Sequence, residues 1–460
     1  MDKRSLKFIA EACGAEILAG TADTTVENVC TDSRRARAGD LFFAIKGENF
    51  DGHAFVKEVA EKKAAAVVVE QGKIPAPLPG CAVLAVDDTI TALGKVAAAY
   101  RRDFALPVVC VCGSNGKTTT KELTAGVLRQ KFSTLWSEAS FNNNIGVPLT
   151  LLRLEKKHQA AVLEAGTNHP GELAPLVKMI RPGLGVLTNI GREHLEFFGD
   201  MAGVAREEGH LAELLPRDGT LFVNGDSEWT PDMVRRTRAQ VVRVGFGEKN
   251  DWRADKVRLD KNGVTFRVTA ANKEFYGDYR VPLLGRHQVL NSLFAMAVGA
   301  MHGMTTAEIQ RGLAESKPAK MRMQFWEAGG IRVLDDAYNA NADSMVAALE
   351  TLRDLPLQGR RVAVLGDMAE LGAHSEAAHA EVGRRAAELQ IGQLFAVGKM
   401  APIVAKAARD AGLSRVIEFE NVEAAIKAVK SFLKSGDLVL LKASRSSRLE
   451  RIAETLKSEK

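Results

Sequence analysis

Residues 107–128 read PVVCVCGSNGKTTTKELTAGVL. Val108, Val109, Cys110, Val111 and Cys112 form an apolar, β-branched run with the length of a buried strand. The run stops at Gly113-Ser114-Asn115-Gly116, and Lys117, Thr118, Thr119 and Thr120 open a segment with Leu123, Val127 and Leu128 at helical spacing. Strand, glycine turn, lysine, hydroxyl and helix in that order build a phosphate cradle. The glycines let backbone N–H groups turn inward, the helix start adds positive potential, Lys117 reaches toward β- and γ-phosphates, and Thr118 offers its hydroxyl to Mg2+. The full motif has a further glycine where Val111 stands, so the pattern is GxxGKT. An ordinary glycine-rich strand-to-helix turn is the rival reading, and the GKT triplet behind a strand weighs against it.

A chain of 460 residues has room for two to four domains. It is 46% hydrophobic and 26% charged, the balance of a soluble globular protein. A net charge of +5, with lysines and arginines scattered and no basic block, points away from nucleic-acid or membrane partners. The five cysteines (Cys13, Cys30, Cys81, Cys110, Cys112) form no CxxC pair and read as reduced and structural. Charges from Asp2 to Lys7 leave no apolar signal core, and no run reaches membrane-spanning length. The expectation is a cytoplasmic protein without membrane insertion.

Outward from the opening stretch, the pattern predicts an α/β chain of three domains. Residues 1–90 read as a small α/β unit. It has a helix over Leu6 to Cys13, a strand over Ala64 to Glu70, a turn-rich segment around Leu41 to Ile45, and a loop bearing Pro75, Pro77 and Pro79. Thr91 to Arg102 reads as a helix into the second domain, 91–318. There strand runs at Val108–Cys112, Ala160–Glu164, Leu184–Asn189, Leu221–Asn224 and Val241–Val244 alternate with helical ones. That rhythm implies a central, mostly parallel phosphate-loop sheet with its ligand loops at the strand carboxyl ends. Val257 to Val281 reads as an antiparallel hairpin turning at Lys261-Asn262-Gly263, followed by a helix from His287 to Met301. Residues 319–460 read as a Rossmann-like domain with runs at Ile331–Leu334, Val362–Leu365, Leu394–Val397 and Leu438–Leu441. Met345, Leu349 and Leu352 share one helix face there. GxGxxG is missing from it, so it is not expected to bind a dinucleotide, and internal repeats are not evident.

Several polar clusters stand at strand ends. Glu164 closes its strand in AAVLEAGTNHPGE, well placed for Mg2+, although a solvated strand-end acid is the alternative. His194, in TNIGREHLEFFG, is a candidate metal or phosphate contact, against the commoner structural histidine. Asn142, Asn143 and Asn144 supply amides suited to a polar substrate, but on the residues alone turn chemistry is the favoured account. His287 and Asn291 share a helix face; an amide there suits an adenine edge, and capping is its rival. Lys320 and Arg322 stand at the junction PAKMRMQFW, where a surface charge is the ordinary role for Arg322. Asp336 ends a strand in LDDAYNANADSM, where a carboxylate suits ribose hydroxyls. Lys442, Ser444, Arg445 and Ser446 in KASRSSRLE form an anion-friendly loop, with a solvated face as the default.

Together these motifs resemble the Mur ligases, ATP-dependent amide-forming enzymes of peptidoglycan precursor synthesis, over essentially the whole chain. GSNGKTTTKE is similar to the family phosphate loop, which lacks the earlier glycine and so accounts for Val111. SFNNNIGVPLTLLRL, EAGTNHPGEL, DDAYNANADSM and LGDMAELG are most similar to the ligase of the last addition, which joins D-alanyl-D-alanine to UDP-N-acetylmuramoyl-tripeptide. The resemblance implies a UDP-sugar domain, a central ATPase and a closing Rossmann-like domain that binds the dipeptide, acting as a monomer with ATP and Mg2+. It implies ATP contacts from Gly113, Ser114, Asn115, Gly116, Lys117, Thr118, Thr119, Asn291, Arg322 and Asp336, with Lys117, His194 and Arg322 catalytic. Thr118, Glu164, His194 and Glu208 would be metal ligands. Ser33, Arg34, Gly47, Asp51, Asn142 and Asn143 would meet the UDP substrate, and Asn339, Asp367, Met368 and Leu371 the dipeptide.

Two departures stand out. In GVAREEGHLAEL, Glu208 occupies the place of a family lysine carried as its carbamate. A glutamate keeps the carboxylate without needing CO2, on an arm shorter by on the order of 3–4 Å. Gln288 replaces a common asparagine beside His287, leaving the nucleotide contact to Asn291. Among siblings, LGDMAELG and the lack of DNPR after Asp335 argue against the ligase of the third residue. Folylpolyglutamate synthase shares the same chemistry. A phosphate-loop motor or a non-catalytic nucleotide binder would leave TDSRRARAGD, or the set Lys117, Thr118, Glu164 and His194, unexplained.

Overall fold

The computed structural model describes residues 1–47, 49–73 and 77–458, so Pro75 of the expected proline loop lies outside the described residues. The chain divides into two compact units. One comprises Met1–Cys110, Phe132–Thr167 and Glu172–Leu184, the other Val111–Lys131, Asn168–Gly171 and Gly185–Lys460.

The first unit opens with the expected helix Leu6–Cys13, held by Ser5 Oγ accepting the Phe8 N–H and ended by Gly14 at φ 74°. Its five-stranded sheet runs, in spatial order, Glu16–Ala19, Ala82–Val86, Ala66–Glu70, Asp40–Phe43 and Asn28–Cys30; the first pair is antiparallel and the others parallel. The next helix spans Thr89–Arg101, two residues ahead of the expected start, because Asp88 Oδ1 accepts the Thr91 N–H and caps it. The unit also holds the strand Ala160–Glu164, paired in parallel with the short strand Thr134–Trp136 that periodicity did not reveal.

The strand Val108–Cys112 passes from one unit into the other, and all five of its side chains are buried. A strand covered on both faces must be apolar throughout, which is what VVCVC provides. From it the second unit's part of the nine-stranded sheet continues through Leu184–Leu187, Thr220–Asn224, Gln240–Gly245, Trp252–Asp260, Gly263–Ala270 and Gly277–Val281. The run expected to reach Asn189 stops at Leu187, since Thr188 and Asn189 turn away to serve the phosphate loop. The hairpin closes where expected, with Asp260 opposite Gly263, and gains a third antiparallel strand.

A six-stranded sheet completes this unit in the order Gln324–Ala328, Ile331–Asp336, Leu438–Lys442, Arg361–Gly366, Gln393–Val397 and Val416–Phe419. Only its first pair is antiparallel. The two edge strands escaped the sequence reading because half-buried edges carry mixed side chains without a clean period. Met345, Leu349 and Leu352 are buried on the helix Ala342–Asp354, as their spacing required. Among the described residues no helix is long and apolar enough to cross a membrane.

Candidate active site

At the carboxyl end of Val108–Cys112 the chain turns on two glycines, Gly113 at φ 112° and Gly116 at φ 84°. A Cβ at Gly113 would lie 2.8 Å from the Asn189 carbonyl, and one at Gly116 would lie 2.6 Å from Asn291 Oδ1. Backbone conformation and space therefore both demand glycine here. Neighbouring segments hold the loop. The Ser114 N–H donates to the Asn189 carbonyl (3.0 Å), the Asn115 N–H to Asn189 Oδ1 (2.7 Å) and the Gly191 N–H to Ser114 Oγ (2.8 Å). No side chain caps the helix Lys117–Leu128 that follows, the situation in which a helix start ordinarily receives an anion. Lys117 Nζ folds back over the loop onto the carbonyls of Gly113 (2.5 Å) and Ser114 (3.3 Å) and onto Glu193 Oε2 (3.2 Å). Thr118 is buried in the first turn, and Thr119 is half-buried beside it.

Asn291, on the helix His287–Met301, supports this corner. Its Oδ1 accepts from Thr120 Oγ1 (3.1 Å) and its Nδ2 donates to Gln288 Oε1 (2.9 Å), so most of its amide serves the fold. Gln288 also donates to His287 Nε2 (3.0 Å), and burial pushes the pKa of His287 down.

Acidic side chains gather behind Lys117. Glu208, at the end of the helix Met201–Glu208, is only 1% exposed, and its Oε2 accepts the Gly113 N–H at 2.7 Å. Burial, and then the Glu193 carboxylate beside it, push its pKa well above the usual range. Glu207 accepts the Gly171 N–H (2.8 Å) and fixes that loop. His194 sits in left-handed backbone at φ 48°, with Nδ1 2.5 Å from Glu370 Oε2 and Nε2 4.0 Å from Glu193 Oε2. The hydrogen bond to His194 in turn holds the Glu370 carboxyl below its ordinary value.

Residues from the helices and loops around the six-stranded sheet reach the same corner. Asn341 Nδ2 donates to Asn115 Oδ1 (3.0 Å). Arg192 forks onto Asp343 (2.8 Å from Nε) and Glu381 (2.5 and 3.1 Å), and its own N–H donates to Asp343 (2.8 Å). The Glu196 N–H donates to the Glu370 carbonyl (3.1 Å). Neither Glu193, Arg192 nor Glu370 was singled out from sequence. The charged REH triplet at a strand end was the local signal for Arg192 and Glu193, and the LGDMAELG motif for Glu370.

The junction residues have partners of their own. The guanidinium of Arg322 stacks on Tyr338, 4.4 Å from the ring centre. Asp336 accepts the Met323 N–H (3.0 Å) and pairs with Lys442 Nζ at 2.5 Å, across strands in register. Lys442 also reaches the Asn339 carbonyl (3.1 Å), and Ser444 Oγ donates to the Ala340 carbonyl (3.2 Å). The KASRSSRLE loop is thus not the solvated face taken as its default throughout: Lys442 and Ser444 are buried, whereas Arg445, Ser446 and Arg448 are exposed.

Other predicted residues have local roles as well. In the first unit Glu164 is buried, and its Oε1 accepts Asn142 Nδ2 (2.8 Å). Asn143 Oδ1 takes the N–H groups of Ile145 and Gly146, so turn chemistry accounts for it. Asp51 binds His53 Nδ1 (2.6 Å) and Lys73 (2.6 Å), which hold its carboxyl well below the ordinary range. Arg34 is clamped to Asp32, the Ser33 carbonyl takes Lys62 Nζ, and the Gly47 N–H donates to the Phe50 carbonyl. In the second unit Asp367 accepts the N–H groups of Lys399 and Met400 just ahead of the helix Ala401–Asp410. Met368 and Leu371 are buried. Of LGDMAELG, it is Glu370 that reaches the corner.

A glycine loop on a parallel strand, a lysine folded over it and buried acids behind it define an ATP-dependent phosphate-loop enzyme. Residues 25–101 match the Mur ligase family catalytic domain, 111–299 the Mur ligase middle domain, and 321–445 the Mur ligase glutamate ligase domain. The chain belongs to the Mur ligase family. It is 35% identical to the UDP-N-acetylmuramoyl-tripeptide–D-alanyl-D-alanine ligase of Bacillus subtilis, over 99% of each chain. The structure is similar to that of MurF from Acinetobacter baumannii, with a TM-score of 0.90, 30% identity and coverage of 100% and 99% of the two chains. It is also similar to Thermotoga maritima MurF ligase in complex with ADP, with a TM-score of 0.81, 28% identity and 94% and 97% coverage.

Proposed function

We propose that this protein joins D-alanyl-D-alanine to UDP-N-acetylmuramoyl-tripeptide at the expense of ATP, the final amide addition of the peptidoglycan precursor. The observation that carries the reading is end-to-end similarity to ligases of that name, coupled with Lys117 folded over an intact glycine loop. In this reading residues 1–90 hold the UDP-sugar through Ser33, Arg34, Gly47 and Asp51, with Asn142 and Asn143 near the peptide. Residues 91–318 hold ATP, and 319–460 bind the dipeptide near Asn339, Asp367, Met368 and Leu371. The chain acts as a cytoplasmic monomer.

The terminal carboxylate of the tripeptide attacks the γ-phosphorus of ATP; the bond to the β-phosphate oxygen breaks, leaving an acyl phosphate and ADP. The dipeptide amine then adds to the acyl carbon, and the tetrahedral adduct expels inorganic phosphate after losing a proton. Two anions must meet in the first step. Lys117 and Arg322 lower that repulsion by placing positive charge on the phosphate oxygens, and the loop N–H groups orient them. Arg322 leaves its stacked position on Tyr338 to do so. Asn291 keeps Gly116 in register, and Asp336 ties the junction strand to its neighbour.

Mg2+, when bound, neutralises phosphate charge and polarises the γ-phosphoryl group. Among the described residues no three His, Cys, Asp or Glu side chains cluster tightly enough to cage a metal alone. One or two carboxylates completed by substrate phosphates suit Mg2+, and the buried oxygens Glu193 Oε1 and Glu208 Oε1, which no donor among the described residues reaches, fit that pattern. Two such ions are proposed, with Thr118, Glu164, His194 and Glu208 as their ligands and Glu208 serving the second.

The test is a rapid-quench assay for ADP with product mass as a second readout. UDP-MurNAc-tripeptide, ATP and D-Ala-D-Ala should give stoichiometric ADP and a product heavier by the dipeptide residue. AMP formation, or no ADP with every substrate present, would rule the reading out.

A further inference from the structure

Glu193 and Glu208 come from different segments, the turn after Leu184–Leu187 and the end of the helix Met201–Glu208. They are 4% and 1% exposed, and their carboxyl groups lie within hydrogen-bonding reach of each other. Each has one oxygen occupied: Glu193 Oε2 by Lys117 Nζ (3.2 Å) and Glu208 Oε2 by the Gly113 N–H (2.7 Å). The other oxygen of each, Oε1, is buried and receives no N–H or O–H donor among the described residues. Burying two carboxyl groups together with unsatisfied oxygens is unfavourable unless a proton or cation lies between them. Lys117 neutralises the pair only while it stays on Glu193. A phosphate-loop lysine that turns to a γ-phosphate withdraws that charge, so the pair then needs another cation.

We propose that Glu193, a residue outside the set expected from sequence, joins Glu208 in a two-carboxylate seat for a divalent cation beside the phosphate loop, completed by nucleotide phosphate and independent of CO2. The inference rests on the proposed function for the nucleotide that completes the seat. Glu193 exchanges Lys117 for the metal as the nucleotide enters, so one buried acid serves both states of the site. Because both ligands are ordinary glutamates, cation binding does not respond to bicarbonate.

The test counts Mn2+ by electron paramagnetic resonance on the full chain, in CO2-free buffer with β,γ-methylene-ATP. The native protein should hold two Mn2+ per chain. Glu193→Gln and Glu208→Gln should each hold one, or bind the second at least tenfold more weakly. Glu207→Gln, altering the neighbouring acid spent on the Gly171 N–H, should still hold two. Each glutamine variant removes a like-charge neighbour, so melting temperatures should hold or rise; if Glu193→Gln fails to fold, the count on Glu208→Gln decides. Two cations retained in Glu193→Gln with affinity within twofold would overturn the proposal. So would a second cation in the native protein that appears only after bicarbonate is added. Product mass from the native enzyme is read separately. Ligation with an unchanged cation count defeats this inference alone, whereas no ligation at all defeats the proposed function.

Discussion

Two lysines stand at the carboxyl ends of buried strands in the second unit, and they have opposite fates. Lys117 follows Val108–Cys112 through a glycine turn, and its ammonium lies on two loop carbonyls and on Glu193. Lys442 is the last residue of Leu438–Lys442, and its ammonium is sealed against Asp336 and the Asn339 carbonyl. The first holds contacts that an incoming nucleotide can exchange, its phosphate taking the ammonium and the proposed cation taking Glu193. The second is buried and in register with its acid, so parting the pair would leave a buried ammonium and a half-buried carboxylate without their counter-charges. A strand-end lysine becomes available for chemistry where glycine backbone surrounds it, and becomes structure where a facing strand supplies an acid.

Replacing each lysine should separate the two roles. Lys117→Ala should cut ADP release by about 10³-fold, the scale of removing one electrostatic donor from a transition state, with a melting curve little changed. Comparable activity in the variant would erase the contrast. Lys442→Met should instead unfold at lower urea, losing about 3 kcal/mol, because the half-buried Asp336 is left without its ammonium partner. Adding Asp336→Leu should restore much of that loss. If the double variant is no more stable than the single one, the pair is not the unit argued here.

Acid sharpens the same comparison, since two histidines, the buried His379 and the half-buried His287, have depressed pKa values. His287 faces Asp336 and Lys442, and His379 accepts the Met368 N–H at Nε2 (2.9 Å). Burial holds the pKa of each below the ordinary 6.5. A depressed folded pKa means that the unfolded chain takes the proton first. The stability they contribute is therefore complete above the unfolded value and is lost as pH falls through it toward the folded value. Urea midpoints should drop between pH 7.5 and 5.5, by up to about 1.4 kcal/mol per pH unit for each histidine in the range where only the unfolded form is protonated. His379→Gln should show a shallower drop, and an identical slope would remove His379 from the account. The smallest effect is expected at Arg192, whose pairs with Glu381 and Asp343 are about one-third exposed. Arg192→Gln should cost no more than about 1 kcal/mol in a urea titration. A far larger loss would make this fork a main support of the corner.

Much of this was legible in the chain. VVCVC, the glycine turn and the following helix appear where the pattern required, and the helices Leu6–Cys13 and His287–Met301 have the expected bounds. The candidate site was legible wherever backbone conformation dictated residue type, as at Gly113 and Gly116. It was less so wherever a polar side chain had to choose a partner. Asn143 and Asp367 look like ligand contacts in one dimension, yet their carboxyl or amide oxygens serve backbone N–H groups nearby. Glu193 and Arg192 carry no motif of their own, and within LGDMAELG nothing marks out Glu370; their importance comes from segments that meet only in the fold.

The sequence by itself determined the order of strands and helices, the glycine loop and the family, because periodicity and left-handed backbone are local properties written residue by residue. Only the tertiary structure decided which charges are consumed and which remain available. The cost of a buried charge depends on what distant segments bring beside it, so Lys117 and Lys442, or Glu193 and Glu208, take their roles from neighbours that no local window contains.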